Sequence, residues 1–87
     1  MPYIKPEDRV DFDIWLSHEV RPRNITKPGI LNYIIYKLCL HYLNHHGESY
    51  QIYNDIIGVL DCCKQEFYMK QIRPYEDIKE KENGSII

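Results

Sequence analysis

Long apolar runs are missing: nowhere do the ~20 consecutive apolar residues needed to span a bilayer occur. An excess of one charge is missing too. Eleven Lys and Arg stand against 13 Asp and Glu, a formal net charge of -2, whereas dedicated nucleic-acid binders carry a basic surplus. Arg21, Arg23 and Lys27 form the one local basic cluster, so nucleic-acid binding is the least favoured reading. Glycine is sparse and forms no phosphate-cradling loop, and no Ser, Thr or Cys sits in a recognisable nucleophile motif. The three cysteines, Cys39, Cys62 and Cys63, are an odd number with a vicinal pair. Without a secretory signal pattern they make no disulfide framework. Cys39 and Cys63 fall within apolar patterns and read as reduced core residues of a cytoplasmic protein.

Present instead is an ordinary globular balance, 44% hydrophobic and 28% charged residues, with 8 Tyr against 2 Phe and 1 Trp. Such a composition is not that of a disordered chain. A length of 87 residues implies one domain over residues 1–87, and one that is marginal alone. Chains this small bury a modest fraction of their surface and are usually reinforced by disulfides, a metal or association. With no disulfide pattern, a homo-oligomer is expected.

Pro6 suits the first turn of a helix, where a missing N–H costs nothing, and Glu7 and Asp8 suit the positive end of its dipole. Phe12, Trp15, Leu16 and Val20 then recur at helical spacing, giving a helix over about 6–20 that Pro22 stops. Pro28 opens a second helix, about 28–45, with the stripe Leu31, Ile34, Ile35, Leu38 and Tyr42. Gly47 ends it. Ser49 caps a third, about 49–72, whose stripe runs Ile52, Ile56, Val59, Leu60, Cys63, Phe67. Gly58 inside it suggests close helix contact. Pro74 ends this helix or kinks it into a short fourth segment. A charged tail over 74–87 follows, with Asp77 and Lys81 spaced as an i,i+4 pair. Sustained period-2 alternation is absent. The expected fold class is all-α, three main helices in a small bundle or helical hairpin completed by oligomerisation.

Three side-chain constellations merit chemical scrutiny. His41, His45 and His46 crowd the end of the second helix, but a zinc site needs further ligands. The plainer reading is solvated histidines favouring the negative end of the helix dipole. Mg²⁺-dependent nucleotide hydrolysis needs acidic clusters on neighbouring helices. Here Asp8 and Asp11 are three apart, Asp61 and Glu66 diverge, and the second helix has no interior acid. The third set pairs tyrosine with basic or amide side chains: Tyr3 and Arg9 near the start, Asn32 and Tyr33 on the second helix, Arg73, Tyr75 and Lys79 near the end. Tyrosine presents a flat face for stacking a base, and arginine grips phosphate with two N–H groups. Tyrosine is equally favoured at protein interfaces. That alternative takes Tyr36, Tyr50, Tyr53 and Tyr68 as interface candidates and Tyr42 as core.

A family pattern runs through nearly the whole chain. It comprises Met1-Pro2-Tyr3-Ile4, Glu7-Asp8-Arg9, Pro28-Gly29, Leu31-Asn32-Tyr33 and Gly58-Val59-Leu60. It continues with Glu66-Phe67-Tyr68, Pro74-Tyr75-Glu76-Asp77, Lys79 and Asn83-Gly84. In these residues the chain resembles a short uncharacterised protein family of phages and of bacterial and archaeal genomes. The Pro-Tyr-Glu-Asp stretch followed by Asn-Gly is its most specific piece. Ile30 and Ser85 depart from it, standing where the family pattern has acids. The resemblance implies no established activity, only that polar residues at both ends belong to one recurring pattern. By analogy alone, a small phage protein without catalytic motifs is often a binder of a host component.

The expectation is therefore a non-enzymatic, homo-oligomeric binding protein for a nucleotide-like anion, for example a cyclic nucleotide signal of host defence. Arg9, Arg73 and Lys79 grip phosphate, Tyr33 and Tyr75 stack, and Tyr3 and Asn32 complete the set. No catalytic residue, metal or cofactor is assigned. The alternatives are an adaptor or inhibitor docking a host protein and, behind it, a metal-dependent nucleotide hydrolase.

Overall fold

The computed structural model describes residues 4–20 and 24–84, all of whose regular structure is helical. The elements are α1 (Pro6–Glu19), α2 (Pro28–His46), α3 (Tyr50–Phe67), a π-helical turn (Tyr68–Ile72) and α4 (Arg73–Asn83). The chain divides into two units, residues 1–47 and 48–87.

In the first unit both helices begin on proline. Pro6 and Pro28 follow the extended residues Lys5 and Lys27, and neither helix has a side-chain cap at its start. The ring presets the helical φ, and the donor it lacks is one that a first turn leaves unpaired anyway. At the far end of α2, Gly47 takes φ +86° and donates its N–H to the Leu43 carbonyl at 2.8 Å. A side chain is strained at such a φ, so glycine is the residue that lets the chain turn there. Across its 19 residues α2 carries one formal charge, Lys37.

The second unit opens with a side-chain cap. Ser49 Oγ accepts from the Ile52 N–H at 3.2 Å, satisfying one of the donors a helix start leaves free. From there α3, the π turn and α4, of 18, 5 and 11 residues, follow without a break, since the residues at each junction keep right-handed helical backbone. Pro74 therefore does not end the helix, and most of the expected charged tail is α4. The backbone shows how. A proline inside an α-helix removes one hydrogen bond and presses its ring against the carbonyl four residues back, here Lys70. Instead the turn before it widens, and the Arg73 N–H bonds the Tyr68 carbonyl, an i→i−5 bond. Gly84, at φ +85°, closes α4 with its N–H on the Glu80 carbonyl. The ion pair on α4 is Lys79–Glu82 at 3.2 Å, rather than the expected Asp77–Lys81.

None of the described residues is buried. The apolar side chains of the expected stripes stand open: Trp15 on α1 is 50% exposed, Leu60 and Phe67 on α3 are 37% and 61%. Tyr42, expected in a core, is exposed and lies against His46, ring centroids 4.3 Å apart. Cys39 and Cys62 are half-buried and Cys63 is exposed, so the expectation of a core Cys63 is corrected. Gly58 is corrected as well: nothing lies within 4 Å of where a Cβ would sit, so it makes no close helix contact. The physical reason is shared. An amphipathic helix buries its stripe only against another surface, and the second unit taken by itself is a single helical run.

Candidate functional site

Tyrosine beside an amine recurs twice on exposed helix surface. On α2, Lys37 Nζ lies 5.5 Å from the Tyr33 ring centroid, and on α4, Lys79 Nζ lies 5.6 Å from that of Tyr75. Both pairs are i,i+4, the spacing that puts two side chains on one face. Both rings are 60% exposed. An ammonium over an aromatic face is held by the ring quadrupole, worth about 0.5–1 kcal/mol at exposed sites. Each pair thus offers a stacking face and a positive charge side by side. Lys79 also holds Glu82; both partners are largely exposed, so this ion pair adds little.

The π turn assembles the third feature. Tyr68 and Glu76 are eight residues apart, and the Glu76 carboxylate lies near enough to the Tyr68 hydroxyl to act on its pKa. Eight residues overshoot two α-helical turns, but a π turn takes up about one residue more, so eight residues close on two full turns. The tendency of the Tyr68 hydroxyl to hydrogen-bond Glu76, then the negative charge of Glu76, then desolvation raise the Tyr68 phenol pKa, while the Arg73 charge lowers it. Arg73 therefore sits beside this pair at the start of α4.

The sequence-predicted residues fall as follows. Arg73, Tyr75 and Lys79 are gathered at the start and middle of α4, with Tyr75 and Lys79 in direct contact. Tyr33 and Asn32 lie exposed near the start of α2. Arg9 on α1 spends Nε on the Ile4 carbonyl at 2.8 Å, which ties the segment before the helix to its first turns. Tyr3 lies outside the described residues. Sequence reasoning passed over Lys37, although its i,i+4 spacing from Tyr33 was visible. Tyr68 was expected only as an interface residue and was not joined to Glu76, since their proximity depends on a π turn that no spacing rule displays.

Other polar groups are engaged locally. Tyr53 donates to Glu48 Oε2 at 2.6 Å, Gln51 to Asp55 at 2.7 Å and Gln65 to Asp61 at 3.2 Å. His45 and His46 meet edge to face, centroids 4.9 Å apart. Among the described residues no three His, Cys, Asp or Glu side chains are grouped to hold a metal ion, and no helix is long and apolar enough to cross a membrane.

Comparison with known proteins now adds a family. A family model for a domain of unknown function, DUF6899, matches residues 1–86. The chain belongs to this family. The match spans both stretches that carry the resemblance, the Met-Pro-Tyr-Ile opening and the Pro-Tyr-Glu-Asp segment with Asn83-Gly84. No curated protein matches, and no solved structure does.

Proposed function

We propose that this member of the DUF6899 family is a small, non-enzymatic, homo-oligomeric binding protein whose ligand is a nucleotide-like anion, cyclic nucleotides included. The observation that carries this reading is the repeated tyrosine–ammonium pair, Tyr33 with Lys37 and Tyr75 with Lys79. A base stacks on the open tyrosine face, and the neighbouring ammonium meets the phosphate. Arg73, six residues or about 1.7 turns before Lys79 on α4, carries a planar donor fork suited to phosphate oxygens. Nothing in such an arrangement breaks a bond, which is why the reading is one of binding.

Calorimetry of the full chain against a panel of cyclic and linear nucleotides tests it. Saturable binding is expected. Tyr75→Ala and Lys79→Ala each weaken it about tenfold, the scale of one stacking or charge contact of ~1–2 kcal/mol. Binding to no member of the panel sinks the reading.

A second reading, an adaptor that docks a host protein, is favoured by one observation: the open apolar stripes of α1 and α3. Recovery of a stoichiometric protein partner, with no small molecule bound, would support it over the first.

A further inference from the structure

We infer that Asn83 is a deamidation site that the last turn of α4 holds closed, and that its conversion to aspartate or isoaspartate leaves that turn unwound. The inference stands apart from the ligand reading.

The sequence holds 4 glycines, which follow Pro28, His46, Ile57 and Asn83, so Asn83-Gly84 is its one Asn-Gly step. The other asparagines, Asn24, Asn32, Asn44 and Asn54, precede Ile, Tyr, His and Asp. In deamidation the backbone nitrogen of the following residue loses its proton to base and attacks the asparagine Cγ. A nitrogen–carbon bond forms, the Cγ–Nδ2 bond breaks, and ammonia leaves with a proton taken from water. Water then opens the five-membered succinimide at either carbonyl, giving aspartate or isoaspartate. A side chain on the following residue crowds the attack, and glycine has none. Gly84 is needed here for a second reason: it holds φ +85°, where a side chain is strained. The glycine that ends α4 thus sets the least hindered nucleophile directly after an exposed Asn83.

Two features of the folded turn block the reaction. The Gly84 N–H donates to the Glu80 carbonyl at 2.8 Å, so base does not take that proton while the turn is closed. Asn83 is helical, and ring closure requires its backbone to swing until Cβ and the Gly84 nitrogen eclipse, outside the helical region. Both blocks lift together when the last turn frays, as helix ends do. The folded rate is then the unfolded rate multiplied by the open fraction. The product closes less well than the parent. A carboxylate at position 83 joins Glu80 and Glu82 at the negative end of the helix dipole, where an added negative charge is unfavourable. Isoaspartate also inserts a methylene into the backbone, which carries the Gly84 N–H away from the Glu80 carbonyl.

The test ages the full chain in mildly alkaline buffer, folded and in parallel in guanidinium, and follows the peptide containing Asn83 by mass spectrometry after digestion in acid. In guanidinium Asn83 should convert ahead of the other four asparagines, and in the folded chain about tenfold more slowly, the protection of a fraying helix end. Lys81→Gly weakens the last turn and leaves the Asn-Gly step intact. It should speed the folded rate about fivefold and leave the guanidinium rate unchanged. Amide hydrogen exchange at the end of α4 should then be faster in the aged wild-type chain than in the fresh one. It should not change with age in Asn83→Gln, whose longer side chain closes a ring far more slowly. No lead for Asn83 in guanidinium overturns the site. Equal wild-type rates folded and in guanidinium overturn the gate, as does an unchanged folded rate in Lys81→Gly. Unaltered exchange in a fully converted chain overturns the unwinding. Should Lys81→Gly fail to fold, the wild-type ratio of folded to guanidinium rate alone decides the gate.

Discussion

The Tyr53 hydroxyl donates a 2.6 Å hydrogen bond to Glu48 Oε2 across the start of α3. Glu48 precedes the helix and Tyr53 lies in its first turns, so the bond works beside the Ser49 cap in fixing where α3 begins. It has an electrostatic signature. The hydrogen bond to Glu48, then desolvation, then the negative charge of Glu48 hold the Tyr53 phenol above its ordinary pKa.

Titration of the tyrosines by ultraviolet absorbance reads this directly. The neutral phenol is the form the fold favours. Its contribution to stability is therefore fully present below the unfolded value near pH 10 and is lost as pH rises through the raised folded value. Glu48→Ala should return the Tyr53 midpoint toward an ordinary tyrosine, and Glu76→Ala should do the same for Tyr68. Midpoints that stay raised in these variants would show that neither carboxylate is the cause.

Pro74 offers a test of the π turn. Replacing it with Ala supplies the missing N–H and removes the ring from the carbonyl side of the helix. A regular α-helical ladder through residues 68–78 becomes the lower-energy path. Pro74→Ala should raise stability by about 1–3 kcal/mol, since an interior proline costs ~3 kcal/mol and the π turn already recovers part of it. Urea unfolding measures the gain. The approach of Glu76 to Tyr68 should be lost with the π turn, lowering the Tyr68 midpoint. A variant of unchanged stability and an unchanged Tyr68 would show that the π turn does not answer to the proline.

Two glycines should respond oppositely to alanine. Gly58 is mid-helix with open space around its missing Cβ, so Gly58→Ala should stabilise by about 1 kcal/mol. Gly47 holds φ +86°, where a Cβ is strained, so Gly47→Ala should destabilise by about 1 kcal/mol. Thermal melts of the two variants side by side check the sign of each. Equal shifts in one direction would contradict the backbone assignment.

Much of the fold was legible because it rests on local chemistry. Pro6, Pro28, Ser49 and Gly47 act within one turn of where they stand, through a preset φ, a hydroxyl acceptor and a permitted left-handed backbone. Helix starts and stops, the apolar stripes and the grouping of Tyr75 with Lys79 were accordingly readable from spacing. The path through Pro74 was not. Ending, kinking and π-widening all satisfy the same residues, and the choice is made by how the backbone bonds of consecutive turns fit together. From that choice comes the proximity of Tyr68 and Glu76, eight residues apart, and the helical state of the charged tail. Coverage of the stripes was equally beyond spacing rules. A hydrophobic period states that a face seeks a partner, but which surface meets it depends on where whole helices lie, a question of three-dimensional packing that no local residue preference answers.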